Sequence, residues 1–479
     1  MPGPENNPHR ERRVLLHAGL VGVVSAWLYG GMGPHGEWIL AALASPAAWF
    51  LFAEARDRRA AGDRAGLLRL LRWLAPLAFL AALVVVGALN PSHRETFIFD
   101  GLVLRPVPHV TWLPASARPL DGLRTLACLG GLALVGMSLA FCVQSRLGLR
   151  RLVLTLALNT LALAVLGTLQ RQMHAAGPFF SEVPSPNPAW FATFFYYNHW
   201  GAYATLATAA AFALVFQSLK QTPDRGWLHG PGPSLALAAL LIAATGPLSG
   251  SRSATVLLLA LALAALALAL RHVYRLGARR SHRSALAGAV GVGALAALAA
   301  ALVAFQSREV LARRLAQTVE QIAEVSAGPV AHGRPALYAD TWRMATDRPV
   351  FGWGLESYGS IFVRYTRFRP GPDGLRTAFE DAHSDWLQSL AEVGFVGTVA
   401  LLLFALVPLF ETLRRDRPSV FSGWLLGGCG LIAAYAWVEF PLACPAVVGL
   451  WWILFFAALR HLQLTPGRTA PAACSPSSS

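Results

Sequence analysis

Charged residues are scarce in this chain of 479 residues: Asp, Glu, Lys and Arg make up only 14% of it, and Lys220 is the only lysine. Soluble domains carry about 25% charged residues, so the composition argues against a soluble protein. Apolar residues make up 55% of the chain and the mean hydropathy is +0.48. They come in blocks of about 17–25 residues, the length that crosses a bilayer as a helix. The sequence therefore predicts an all-α, polytopic membrane protein.

Cysteine is also rare, and the motifs of several enzyme classes are missing. The five cysteines form no CxxC pair, which argues against a disulfide framework and a zinc site. The chain has no Walker A motif, no GxSxG, no HExxH and no convincing DxD pair. A nucleotide-driven pump, a zinc protease and a metal-dependent sugar-nucleotide enzyme are therefore poorly supported. We expect neither a metal nor another cofactor.

The net charge of +15 comes from arginines that cluster in short segments between apolar blocks. No basic patch is interleaved with aromatic residues, so we expect no nucleic-acid partner. With the N-terminus placed inside, the inner segments hold 24 of the 40 basic residues. The outer segments hold 16, of which 10 belong to the long loop 306–390. Long loops cross the membrane regardless of charge, so the positive-inside rule predicts that both termini are cytoplasmic.

The apolar blocks predict about twelve transmembrane helices. They cover residues 14–30, 37–53, 70–89, 123–144, 151–170, 190–217, 233–248, 253–270, 285–305, 391–410, 420–438 and 443–460. The chain then divides into 1–305 with spans one to nine, a large extracytoplasmic loop domain at 306–390, spans ten to twelve at 391–461, and a disordered cytoplasmic tail at 462–479. The motif "TGPLSGSRS" leaves open whether 233–270 holds two spans joined by a tight turn or one broken helix.

Within the loop regions, the Pro-rich segment 90–121 predicts an extended loop. The apolar stripe of residues 307–326 predicts an amphipathic helix. A second helix is expected from Pro335 to just before Pro349.

Three ionisable residues fall on one side of the membrane by this topology. Arg252, in "SGSRS", is either a snorkelling anchor or part of an anion site at a helix N-terminus. For Arg334, in "HGRPALY", the favoured interpretation when it is taken alone is a solvated loop arginine. His383, in "AHSDWLQ", can serve as a general base at the membrane boundary, and the nearby acids either orient it or cap the following helix.

Two further residues, Asn198 and His199 in "FFYYNHWGAYA", lie near the outer end of their span. They are either a polar contact between helices or a substrate-binding pair, and we include them as candidate diphosphate- or glycan-binding residues. Glu439, in "AWVEFPLACP", is interpreted as a helix-packing or capping acid.

Several segments resemble the O-antigen ligase and polymerase superfamily. These are "PLSGSRSATVLLLAL", "GRPALYADTWRMATDRPVFGWGLESYGSIF" and "AHSDWLQSLAEVGFVGTVALLLFAL", with "YYNHWGAYA" before them and "YAWVEFPLACPAVVGLWWILFFAAL" after them. The resemblance is specific over 190–460 and looser over 1–189. In one departure from the family, Ser384 follows the histidine where the family usually has asparagine.

The resemblance implies an inverting, metal-independent glycosyl transfer on the periplasmic face of the bacterial inner membrane. The donor would be a glycan on a polyprenyl diphosphate, and the acceptor a hydroxyl of lipid A–core, of another glycan or of a protein. In the family, two arginines hold the diphosphate and a histidine activates the acceptor, which here implies Arg252, Arg334 and His383. We therefore expect an O-antigen-ligase-type enzyme of lipopolysaccharide biosynthesis. The alternatives are a Wzy-like polymerase, a protein O-oligosaccharyltransferase and, in another class, a lipid or polysaccharide transporter.

Overall fold

The structure, a computed structural model, describes residues 8–98, 101–185, 187–221, 230–278, 281–308, 312, 333–367 and 379–464. Most of the amphipathic helix predicted at 307–326 and most of the tail predicted at 462–479 lie outside these residues.

The described chain is mostly helical. The helices are α1 (Pro8–Trp27), α2 (Gly33–Ala44), α3 (Pro46–Ala60), α4 (Arg64–Leu89), α5 (Pro119–Cys142), α6 (Arg146–Gln172), α7 (Tyr197–Gln221), α8 (Gly232–Ser249), α9 (Arg252–Ala278), α10 (His282–Gln306), α11 (Arg334–Asp347), α12 (Tyr358–Phe362), α13 (Asp385–Arg415), α14 (Val420–Tyr435) and α15 (Pro445–Gln463). The strands β1 (His93–Ile98) and β2 (Gly101–Pro106) pair in antiparallel fashion. The segment predicted as an extended loop thus contains a hairpin.

Ten helical segments of the described chain are long and apolar enough to cross a membrane, with α2 and α3 counted as one segment that bends at Ser45. The other two predicted spans correspond to α1, which begins in a charged turn, and to α14, which has 16 residues. Among these segments α7 and α15 are the most buried, whereas α10 has no buried residue among those described. The prediction of an all-α, multi-pass membrane protein is confirmed.

The motif "TGPLSGSRS" forms a tight turn between two helices. Helix α8 ends at Ser249, and Gly250 caps it in the left-handed conformation with φ +81°. The Ser251 hydroxyl then accepts a hydrogen bond from the Ala254 N–H at 3.1 Å, which caps the start of α9. Since glycine adopts this φ without steric cost, the "SGS" sequence allows the chain to reverse within two residues. Residues 233–270 therefore form two helices.

Helix α13 is interrupted near its start by Gly394, with φ +65° and ψ −172°. The segment 349–354 lies against this break. The Trp353 N–H donates to the Ala391 carbonyl at 3.0 Å, and the Phe395 N–H donates to the Pro349 carbonyl at 2.8 Å. The break thus attaches the loop that follows α11 to a membrane-spanning helix.

A small second core lies at the end of the bundle that carries the hairpin, which we call the loop end. Leu337 and Met344 of α11 are buried there with Trp353 and with Tyr358 and Ile361 of α12. This core holds α11 against the first turn of α13. It therefore determines where the residues at both ends of α11 lie.

Candidate active site

Four segments that are distant in sequence meet at Glu439, which lies between α14 and α15. Its carboxylate is 1% exposed. One oxygen, Oε1, accepts hydrogen bonds from Arg334 Nη2 and from Asn198 Nδ2, the latter at 3.1 Å. The other, Oε2, lies 3.6 Å from His383 Nδ1. A buried carboxylate needs cationic or hydrogen-bonding partners, and here these are three of the residues proposed from the sequence.

Arg334 is the first residue of α11 and lies at the surface of the site. Its Nη1 donates to the Val438 carbonyl at 2.8 Å while Nη2 contacts Glu439. Burial lowers the pKa of Arg334, but the negative charge of Glu439 outweighs burial and leaves the pKa raised. Its side chain is still 45% exposed, so a planar, permanently charged guanidinium remains accessible at the surface of the site.

His383 immediately precedes the N-cap of α13. Its φ is +50°, a conformation uncommon outside glycine that costs about 1–3 kcal/mol. The Tyr338 hydroxyl of α11 donates to the His383 carbonyl at 2.9 Å, and Ser384 caps α13. The imidazole packs edge-on against Phe440 with ring centroids 4.7 Å apart. The structure thus presents the His383 side chain toward Glu439 at a cost in backbone strain.

The "SGSR" turn joins the same network through Asn198. The Ser251 hydroxyl donates to Asn198 Oδ1 at 2.6 Å, and Asn198 Nδ2 donates to Glu439 and to the Tyr196 hydroxyl at 2.8 Å. Arg252 directly follows Ser251 and is exposed at the first position of α9. Arg252 is therefore an exposed residue next in sequence to Ser251, which belongs to the polar cluster.

His199 has a different environment from the other candidates. It is 3% exposed, and its Nε2 lies 3.2 Å from the Phe440 carbonyl. Its ring packs against Tyr196 and Phe440. Of the two roles that the sequence left open for His199, these contacts favour a polar packing contact over substrate binding. His199 is buried next to the site.

The acids at and just before the start of α13 form no ion pair with the imidazole in the described residues. Asp385 accepts a hydrogen bond from the Leu442 N–H at 2.9 Å, which ties α13 to the segment after Glu439. Burial, more than any other influence, raises the pKa of Asp381 to about 6. Among the described residues, only Glu439 lies within ion-pair distance of His383.

Glu439 is the site residue that the sequence interpretation missed, because a lone acid between two spans is typical of a cap. Burial raises its pKa, but the proximity of His383 and the charge and hydrogen bond of Arg334 outweigh burial and leave the pKa lowered. The carboxylate is therefore ionised at neutral pH. The signal that could have identified it is an acid in an otherwise apolar "WVEFP" segment, which the predicted topology assigns to the same membrane face as two arginines and a histidine.

A comparison with protein-family models matches a part of the chain that contributes several residues to this site. A family model described as O-antigen ligase matches residues 237–402. This range contains Arg252, Arg334 and His383, and it ends inside α13. No curated protein matches the chain significantly.

Proposed function

We propose that the chain is an inverting glycosyltransferase, since its residues 237–402 match a family model described as O-antigen ligase. It moves a glycan from a polyprenyl diphosphate carrier to an acceptor hydroxyl at the extracytoplasmic face of the bacterial inner membrane. The observation that carries this proposal is the single carboxylate, Glu439, that contacts both Arg334 and His383. It brings an anion-binding group and a candidate base into one site.

In this proposal Arg252 and Arg334 bind the diphosphate. A polyprenyl donor stays in the bilayer, so its diphosphate lies at the headgroup plane, where the loop end of the bundle lies in our topology. Both guanidiniums are accessible, and guanidinium matches phosphate oxygens in a bidentate manner. Two such groups neutralise the charge that develops on the leaving diphosphate, so the proposal requires no metal ion.

His383 acts as the general base toward the acceptor. With Nδ1 directed at Glu439, the carboxylate favours the tautomer that carries its proton on Nδ1 and leaves Nε2 free to accept one. The acceptor hydroxyl gives its proton to Nε2, and its oxygen forms a bond to the anomeric carbon. The bond from that carbon to the diphosphate oxygen breaks, and the electron pair leaves with the diphosphate. One direct displacement inverts the anomeric configuration.

Glu439 then has two roles in the cycle. It stabilises the imidazolium that forms when His383 takes up the proton, and it holds Arg334 in place before the donor binds. Asn198 and Ser251 connect the carboxylate to the turn that carries Arg252. A movement of the turn is thereby linked to the position of the base.

The proposal is tested by transfer in vitro from a polyprenyl-diphosphate glycan, with chelator present. His383→Ala should slow transfer by about 10²–10⁴-fold, and Arg252→Ala by about 10²–10³-fold. Arg275→Ala, at the other end of α9 and exposed, is the matched control and should transfer normally. Wild-type rates in both site variants would refute the site, and a requirement for added Mg²⁺ would contradict the arginine-based model.

The acceptor is identified by offering lipid A–core, a second lipid-linked glycan and an acceptor protein in separate reactions. We expect transfer to lipid A–core. Transfer to the lipid-linked glycan alone would identify a polymerase, and transfer to the protein alone an oligosaccharyltransferase. Movement of the donor across a vesicle membrane without any new glycosidic bond would identify a transporter.

A further inference from the structure

A second group of basic residues lies at the loop end, at the opposite end of α11 from Arg334. Arg348 directly follows α11, and its guanidinium lies over the Trp353 ring at 4.0 Å from the centroid. Its Nη2 lies 3.4 Å from His109 Nε2. Because arginine only donates, His109 Nε2 must accept, and its Nδ1 then carries the hydrogen directed at the Val107 carbonyl, 3.0 Å away.

Arg364 and His93 complete this group, which we call the α11 C-terminal cluster: His93, His109, Arg348 and Arg364. Arg364 adjoins Tyr365, whose ring lies beside the Trp353 indole with centroids 6.2 Å apart. Burial first, and then the positive charges of Arg364, Arg348 and His109, lower the pKa of His93 to about 4. His93 is therefore neutral at pH 7, although three basic groups lie close to it. Arg364 is exposed and Arg348 is half-buried, so the cluster is open to the surroundings.

The cluster contains two arginines that form no ion pair within the described ranges. Glu95, on the same strand as His93, is bound instead by Arg118 at 2.8 Å. Asp347, the last residue of α11, accepts a hydrogen bond from the Tyr365 hydroxyl. Neither acid forms an ion pair with Arg348 or Arg364 in the described residues, and burial together with the charge of Arg364 lowers the pKa of Arg348. An anion at the cluster would be attracted by both positive charges.

An unpartnered buried group supplies the second indication of a ligand. His93 is 5% exposed, and its Nδ1 is paired with the Ser92 hydroxyl at 3.0 Å. Its Nε2 is buried and has no hydrogen-bonding partner in the described chain. The His93 ring lies beside the Trp353 indole that Arg348 covers, with centroids 6.3 Å apart. Buried polar atoms without a partner are rare, and a phosphate oxygen is a chemically suitable partner.

The cluster is held rigidly relative to the candidate active site. The Trp353 indole N–H donates to the Met344 carbonyl of α11 at 3.0 Å, and the Trp353 carbonyl accepts from the Ala117 N–H at 2.9 Å. Helix α11 has 14 residues, so at 1.5 Å per residue its ends lie about 21 Å apart. Arg334 lies at one end and Arg348 at the other. A glycan of a few sugars can extend between them.

We propose that the α11 C-terminal cluster binds a phosphate group of the acceptor glycan while the acceptor hydroxyl lies at His383. This inference rests on the proposed function, since it assigns the acceptor class to that site. The ligand chemistry is a phosphate monoester on an oligosaccharide. Phosphodiester headgroups of the surrounding lipids share part of this chemistry and are separated from it by the experiment.

The test measures binding by the purified full-length protein in detergent. The probe is a deacylated glucosamine disaccharide carrying two phosphate monoesters, and the comparison probe is the same disaccharide after phosphatase treatment. Arg364→Gln changes an exposed residue and should preserve the fold. It should weaken binding of the phosphorylated probe by about tenfold, the size expected for one charge-assisted contact, and leave the other probe unaffected. Arg343→Gln, an exposed arginine on α11, is the matched control.

Equal binding of both probes, or unchanged binding by Arg364→Gln and Arg348→Gln, would overturn the proposal. The proposal would also be overturned if the arginine variants lost affinity only for nanodiscs of phosphatidylglycerol, relative to nanodiscs of phosphatidylcholine. The ligand would then be a lipid headgroup. In the transfer assay, Arg364→Gln should raise the acceptor KM and leave kcat and the donor KM unchanged. Absence of transfer by the wild type would refute the proposed function. The binding comparison tests the phosphate site whether or not transfer occurs.

Discussion

Replacing Glu439 with glutamine tests the link between the carboxylate and the base. The amide keeps the shape of the side chain and can still accept from Arg334 and Asn198, but it cannot stabilise an imidazolium. A full charge pair at the observed 3.6 Å is worth about 5 kcal/mol at an effective dielectric constant of about 20. The His383 side chain is 28% exposed, and solvent screening reduces this to roughly 2 kcal/mol. The expected loss in kcat is about thirtyfold.

The assay is steady-state transfer from the lipid-linked donor, with kcat and the donor KM measured separately. Glu439→Gln should lower kcat and change the donor KM little, because the contacts of Arg334 persist. Glu411→Gln is the control, since Glu411 also binds an arginine and the Trp73 indole but lies at the far end of α13. The reasoning is refuted if Glu439→Gln retains the wild-type kcat, or if Glu411→Gln loses as much while both variants remain folded.

Two further predictions concern stability. Burial, aided by the charge of Glu37, raises the pKa of Glu356 to about 7. Such an acid binds its proton more tightly in the folded than in the unfolded state. The free energy of unfolding therefore falls as pH rises from the ordinary pKa of a glutamate toward 7. Glu356→Gln should therefore raise Tm at pH 8 relative to the wild type and lose this advantage near pH 4; an equal effect at both pH values would contradict the assignment. Gly394→Ala should lower Tm strongly, costing about 3 kcal/mol or more, because a Cβ would lie 2.3 Å from the Val350 carbonyl oxygen. Gly427→Ala, where a Cβ meets nothing within 4 Å, should leave Tm unchanged or slightly higher, and similar losses in both variants would count against the strain argument.

Much of the fold could be predicted from the sequence because membrane-spanning helices are a local property. A run of about twenty apolar residues must satisfy its backbone hydrogen bonds within itself in a bilayer, so the apolar blocks and the helices agree to within a few residues at most boundaries. The start of α7 is an exception. The apolar residues from Trp190 to Phe195 extend the block, but they pack in turns against other aromatic residues, and helix formation begins at Tyr197.

The candidate site was only partly predictable. Sequence alone identified Arg252, Arg334 and His383 and, through the charge count, assigned them to one face. It did not identify the carboxylate that Arg334 and His383 share, because Glu439 lies 105 residues from Arg334, and hydropathy and local periodicity carry no information over that separation. The same is true of Asn198, whose hydrogen bond to Glu439 spans 241 residues.

Membrane helices with ionisable residues at their ends follow from local sequence, since hydropathy, helix caps and the glycine turn at 250 act within a few residues. The contact of one buried carboxylate with both an arginine and a histidine, and the basic groups at both ends of α11, depend on the packed structure. Those contacts depend on how α7, α11, α13 and α14 pack together. Packing is set by the shapes of whole helices, which no single segment encodes.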